Sequence, residues 1–303
     1  MFINNETLKL EYMVEEADDG LKVIDVLATS MNISSRLIRK CKNNHNILLN
    51  GRDGSVNRQV KEGDIIGLML DHDENTFEPN DISIEILYED ADMLVVNKPP
   101  FLVVHPTKGH PEGTLANAIS HHQYKAGQDY KARFINRLDR DTSGVVLIAK
   151  NAFAQQVISE QMQANEVDKN YYAVVNGVIK ADRGTVNEPI ERAEEGDVLR
   201  IVRPDGLPSI THYEVVERFK EHTFVKLRLE TGRTHQIRVH LAHIGHGIVG
   251  DHLYGTVTEL INRQALHCFE MSFRKARGGT PTRVIAPIPE DIDKLLKHLR
   301  EHL

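Results

Sequence analysis

Cysteine is scarce: only Cys41 and Cys268 occur in 303 residues, far apart and outside any metal-ligand spacing. That excludes a disulfide-stapled fold and a cysteine zinc site, and leaves two reduced thiols. No apolar run approaches the roughly 18 to 20 residues needed to cross a bilayer, and the start Met1-Phe2-Ile3-Asn4-Asn5-Glu6 has no basic leader followed by an apolar stretch. A cytoplasmic protein without membrane contact is the expectation. There is also no glycine-rich dinucleotide fingerprint and no phosphate-binding loop, so no cofactor is implied.

Basic residues are missing from one stretch altogether. Nine acids and no Lys or Arg lie between Asp71 and Asp92, so the formal charge of −7 is largely one segment and the rest of the chain nets +2. From Arg36 to Asp64, seven basic residues face three acids. A local basic patch of this kind binds phosphates even in an acidic protein.

What is present divides into two textures. Leu21, Ile24, Leu27 and Ala28 recur at helical spacing, and Ser34 or Ser35 caps a second helix running to Lys42. Ile47-Leu48-Leu49 then enters Asn50-Gly51, a hairpin signal, and Val60 to Leu70 reads as strand broken by Glu62-Gly63-Asp64. The next residues contain Pro79 and little apolar content, as a solvated linker does. Three parts follow: a small α+β unit over 13–71, an acidic linker over 72–83, and a large unit over 84–303. In the large unit, strands are predicted at Ile84–Tyr88, Met93–Asn97, Val145–Ala149, Tyr171–Asn176, Leu199–Val202, His212–Val216 and Phe224–Leu229. Helices are predicted at Thr114–His121, Ala152–Ala164, Thr234–Ile244 and Pro289–His302. This order fits an α+β fold with a mixed, mostly antiparallel sheet and peripheral helices better than regular βαβ alternation.

The segment Arg137-Leu138-Asp139-Arg140-Asp141-Thr142-Ser143-Gly144 sets a carboxylate between two arginines. Guanidinium neighbours favour an ionised acid, able to act as nucleophile or base. The ordinary alternative is an exposed ion pair beside a turn. Against it, the charged run feeds directly into Val145-Val146-Leu147-Ile148-Ala149, a buried-strand pattern. The many histidines raise a metal site as a rival, but His240 and His243 lie three apart with no Glu between them, which argues against a zinc hydrolase.

Two resemblances join these features. Residues 14–70 resemble the alpha-L RNA-binding domain, which implies RNA contacts from Ser35, Arg36, Arg39 and Lys40. Further along, four segments accompany Arg137–Gly144: Asn97-Lys98-Pro99-Pro100 with His105-Pro106; Lys169-Asn170-Tyr171; Thr231-Gly232-Arg233-Thr234-His235-Gln236-Ile237-Arg238-Val239-His240; and Gly250-Asp251-His252-Leu253-Tyr254-Gly255. In this order they resemble the RluA-type family of rRNA and tRNA pseudouridine synthases, over Glu85 to Phe273. The resemblance implies the pseudouridine synthase fold with a central cleft, Asp139 as catalytic aspartate, Tyr171 stacked on the target base, Arg238 as partner of the aspartate, and Ile237 lining the base pocket with Arg137, Arg233 and His235. It implies no metal and no cofactor, a monomer, and RNA as partner, with 23S-type rRNA ahead of tRNA. Asn136, Phe101 and Gly247 depart from frequent His, Gly and Pro in the family. A noncatalytic RNA-binding protein that keeps the fold is the rival of another class; an intact Asp139, Tyr171 and Arg238 argue against it.

Overall fold

The computed structural model describes residues 1, 2, 6, 8–71, 73–107 and 109–302; positions 3–5, 7, 72, 108 and 303 lie outside the description. The N-terminal unit comprises β1 (Lys9–Met13), α1 (Val23–Ala28), α2 (Ser35–Asn43), β2 (Ile47–Leu49), β3 (Arg52–Asp53) and β4 (Ile65–Met69). Its four strands form one sheet in the order β1-β4-β2-β3. Because β1 pairs along the whole of β4, this unit reaches back beyond residue 13, the boundary expected from sequence. Ser34 caps α2 by accepting from the Leu37 N–H, and Leu37, Ile38 and Cys41 face inward. That leaves Ser35, Arg36, Arg39 and Lys40 exposed on the outer face, with Lys40 paired to Asp71 at 2.8 Å.

The larger unit contains β5 (Glu85–Glu89), β6 (Met93–Lys98), α3 (Leu115–Ala126), β7 (Arg133–Phe134), β8 (Ser143–Ala149), α4 (Ala152–Gln163), β9 (Asp168–Asn176), β10 (Arg183–Asn187), β11 (Ile190–Arg192), β12 (Arg200–Val202), β13 (Ile210–Arg218), β14 (His222–Leu229), α5 (Gln236–His243), β15 (Leu266–Arg274), β16 (Pro281–Ile285) and α6 (Glu290–Glu301). A ten-stranded sheet runs β10-β13-β14-β9-β15-β8-β6-β5, with β16 added to β15 and β7 to β8; β11 and β12 form a separate ribbon. Every ladder in the large sheet is antiparallel except β15 on β8, where His267 faces Ser143 and Cys268 faces Gly144. This is the mixed, mostly antiparallel architecture that the sequence pattern implies.

The centre of the sheet is its driest part. All seven residues of β8 are buried, between Met93–Lys98 on one side and β15 on the other. Gly144 has φ +119°, and a Cβ there would sit 2.1 Å from the Cys268 carbonyl oxygen. Only glycine permits this approach of β15 to β8. Glu270, a charged residue buried in β15, is compensated: it accepts from Asn170 and from Arg283.

The acidic segment joining the units is not free in solvent, contrary to the expectation for such a composition. Asn75 donates to Ser120 and Gln123 on α3, Ser120 and Asn117 return hydrogen bonds to the Phe77 and Glu78 carbonyls, and Asp73 pairs with Arg133. Its acids stay at the surface while its backbone supplies acceptors to a polar face of α3. The two units also touch. Gln156 on α4 accepts from the Ser34 N–H, Phe2 packs on Phe153, and Arg277 holds Asp92 in a two-pronged pair while donating to the Glu6 and Lys9 carbonyls.

Candidate active site

The loop before β8 is fastened to its surroundings at Asn136, Arg140, Asp141 and Thr142. Asn136 donates to the Val145 carbonyl and accepts from Leu147 N–H, so its amide replaces a strand partner on the edge of β8. The Arg140 carbonyl accepts from the ammonium of Lys98, which also donates to Pro99 and Leu102. The Asp141 carbonyl accepts from Arg263, a fully buried guanidinium whose fork is held by Asp291, and Thr142 accepts from Gln264. Burial, then repulsion from Arg263, pushes the Lys98 ammonium down to about 7. Three carbonyl acceptors at 2.8–2.9 Å nevertheless engage all three of its N–H groups.

The tether leaves the Asp139 side chain facing a cleft walled by Arg137, Leu138, Thr142, Tyr171, Leu229, Arg233, His235, Gln236, Ile237, Arg238 and Leu266. Its Oδ2 accepts from Arg238 Nη1 at 3.0 Å. The flanking arginines do not fill this role: Arg140 turns outward to grip Asp141, and Arg137 lies exposed at the rim. The guanidinium that meets Asp139 therefore comes from α5, far along the chain. Arg238 is itself held by Asp251, which takes Nε at 2.7 Å and Nη2 at 2.8 Å and accepts the backbone N–H groups of Leu253 and Tyr254. Burial opposes both charges, yet each raises the other's preference for ionisation: Asp251 is held below the usual carboxylate range and Arg238 above the ordinary guanidinium value.

Tyr171 lies on β9, buried against the floor of the cleft, and burial pushes its phenol well above the ordinary value, with Cys268 and Asp139 adding to the shift. It presents a neutral ring. Ile237 is also buried in the wall, while Arg233 is exposed and leans on the Pro208 carbonyl. His235 has φ +58° immediately before α5, which is why that helix begins at Gln236 instead of Thr234. Of the histidines on α5, His240 has one ring nitrogen on Thr211 Oγ1 and the other on the Glu188 carbonyl.

The structure thus brings together Asp139, Tyr171, Arg238, Ile237, His235, Arg137 and Arg233. Ser35, Arg36, Arg39 and Lys40 lie apart on the N-terminal unit. Sequence reasoning gave Asp251 and Tyr254 no role of their own, although both stand in the quoted Gly250–Gly255 segment; what marks Asp251 is its burial against Arg238, which only the fold shows. A larger cavity of about 850 Å³, lined by Phe2, Tyr12, Asn32 and Glu160 among others, lies between the units and away from this cluster.

Comparison with known proteins gives the family. Residues 92–243, which contain Asp139, Tyr171 and Arg238, match the family described as RNA pseudouridylate synthase. The chain is 41% identical to a ribosomal large subunit pseudouridine synthase D of Xylella fastidiosa over 84% of its length and 81% of the relative. With the enzyme of the same name from Salmonella typhimurium it shares 38% over 97% and 95% of the two chains. An uncharacterized RNA pseudouridine synthase of Bacillus subtilis is 38% identical over 89% and 96%. Among solved structures, human RNA pseudouridylate synthase domain containing 1 superposes with a TM-score of 0.57 at 28% identity, over 74% of this chain and 98% of that one. The match spans half the chain and takes in Asp139, Tyr171 and Arg238, stopping short of Asp251, and by it and by these relatives the chain belongs to the RNA pseudouridylate synthase family.

Proposed function

We propose that this protein converts specific uridines of structured RNA to pseudouridine, with large-subunit ribosomal RNA as the substrate ahead of tRNA and Asp139 as the reacting carboxylate. The observation that carries the reading is the 3.0 Å contact of Asp139 with Arg238 at a cleft floored by Tyr171. The names of the bacterial relatives support the ribosomal substrate. In the reaction the C1′–N1 bond breaks, the uracil turns, a C1′–C5 bond forms, the C5 proton leaves and N1 takes one up. Nothing is oxidised and no group is donated. Attack on C1′, attack on the base and assistance to a glycal route all require the carboxylate at the same place, next to the sugar and the ring. A base inside a helix cannot reach it, so the uridine is flipped out, and Arg137 at the rim is suited to the vacated stack or its phosphates.

The exposed Ser35, Arg36, Arg39 and Lys40 supply a second, basic contact to the RNA. The protein works in this reading as a cytoplasmic monomer; among the described residues no helix is long and apolar enough to cross a membrane. The test is carbodiimide mapping of pseudouridine in total RNA from cells without the gene, complemented by wild type or Asp139→Ala. Stops that disappear and return only with wild type would identify both activity and target. Sites that persist unchanged, in cells without a covering paralogue, would favour an RNA-binding role alone.

A further inference from the structure

The charges around Asp139 leave a demand that Arg238 does not meet. Asp139 and Asp251 share that one cation, so the trio carries a net negative charge before substrate arrives. Breaking C1′–N1 sends the electron pair onto uracil, whose N1, O2 and O4 spread the charge. A second negative charge in a confined cleft needs a donor aimed at it. The amide and guanidinium donors in the wall are occupied or remote. The Gln236 amide donates to the Ile210 carbonyl and Thr211, and Arg137 and Arg233 are exposed at the rim.

His235 remains. Its Nε2 faces the cleft 3.9 Å from Asp139 Oδ2, beyond hydrogen-bond distance and without another partner among the described residues. Its Nδ1 lies 2.8 Å from the Tyr254 hydroxyl, and that oxygen already accepts the Arg200 backbone N–H at 2.8 Å. The phenolic proton is therefore free to go to Nδ1, which puts the imidazole proton on Nε2. The backbone of His235 is at φ +58°, a conformation that a non-glycine residue keeps only where the surroundings enforce it. Burial keeps the imidazole below its ordinary value, hence neutral.

We propose that His235, its proton fixed on Nε2 by Tyr254, donates to a carbonyl oxygen of the target uracil and stabilises the negative charge the base acquires as the glycosidic bond breaks. Tyr254 is the positioning residue. No proton moves in this step: the bonding pair passes to the base and returns from C5 to C1′. The inference rests on the isomerase reading above.

The test uses the full chain and an unmodified large-subunit rRNA transcript labelled with 5-tritiated uridine, read by tritium release in single turnover. His235→Ala is expected to slow release about 100-fold or more while RNA affinity changes less than about 3-fold, the pattern of a lost transition-state donor. His235→Gln, which keeps an N–H, recovers at least about tenfold of that loss, and Tyr254→Phe, which keeps the ring but frees the tautomer, loses about tenfold. Nitrogen-15 spectra, with His235 assigned from the Gln variant, show the proton on Nε2 in wild type and on both nitrogens in Tyr254→Phe. A wild-type proton on Nδ1, an Ala variant at wild-type rate, or a Gln variant no better than Ala overturns the proposal. A wild type that releases no tritium overturns the isomerase reading and the catalytic role with it, while the spectra still report the tautomer.

Discussion

Asp251 takes two N–H groups of Arg238, at 2.7 and 2.8 Å, and leaves a third for Asp139 at 3.0 Å. The two carboxylates therefore have opposite consequences for stability. Asp251 is fully buried, and Asp251→Ala strands a buried guanidinium and is expected to cost roughly 3–5 kcal/mol. Asp139 is partly exposed and Arg238 keeps its other partner without it, so Asp139→Asn should stay within about 1 kcal/mol of wild type while abolishing product. Urea unfolding of the two variants checks this; equal losses would mean that Asp139, too, holds the fold together.

Phe101 has φ +63° and is 52% exposed, a bulky residue in the conformation glycine favours. Truncation alone cannot separate its ring from its backbone, but two truncations can. At ordinary φ, a glycine is less stable than an alanine. Here the order should invert, with Phe101→Gly about 1 kcal/mol more stable than Phe101→Ala. Thermal unfolding of the pair decides it, and the usual order would show that the loop relaxes its φ when the ring is removed.

How far these features could be read in the chain depends on their range. The Asp139 segment and β8 were legible because charge clustering and a β-branched run are local signals. The length of α4 and α6 was visible for the same reason, through apolar spacing and, for α4, the Asn151 cap. β15 was not legible although it sits at the centre of the sheet: His267, Glu270 and Arg274 interrupt its apolar pattern, and the partners of the first two, Ser143 for His267 and both Asn170 and Arg283 for Glu270, come from other strands. Helix α3 runs to Ala126, five residues past its expected end, because polar residues on its outer turn are met by the acidic connector and Gly127 supplies the left-handed stop. For the site, Arg238 could be assigned to Asp139 only through resemblance; no local rule joins residues 99 apart. Asp251, Lys98 and Arg263 were unreadable as a set, since burial is what turns an ordinary surface charge into a tether.

Lys98 shows what such a tether does. It is fully buried, and its ammonium links its own turn to the Arg140 carbonyl beside Asp139. Lys98→Met preserves length and removes the donors, leaving three carbonyl oxygens short of a partner. A loss of at least about 3 kcal/mol is expected, since each unsatisfied buried group costs about 1–3 kcal/mol. Amide exchange should show faster opening at residues 138–142 than in β14. Unchanged protection there would mean that Asn136, Arg263 and Gln264 hold the loop unaided.

His267 gives the fold a pH dependence of defined sign. Its Nδ1 meets Ser143 Oγ at 2.9 Å beneath the loop that carries Asp139, and burial pushes its imidazole down to about 4 from an ordinary 6.5. The unfolded chain binds this proton more readily than the folded one, so the histidine's contribution is complete above pH 6.5 and is lost as pH falls towards 4. The interval corresponds to about 3 kcal/mol. His267→Gln cannot titrate, and although it is less stable at neutral pH, its urea midpoint should fall less steeply than that of wild type between pH 6.5 and 4. Because the other buried histidines titrate in both proteins, the difference between the two slopes isolates His267. Parallel slopes would show that the imidazole is protonated in the folded protein as readily as in the unfolded chain.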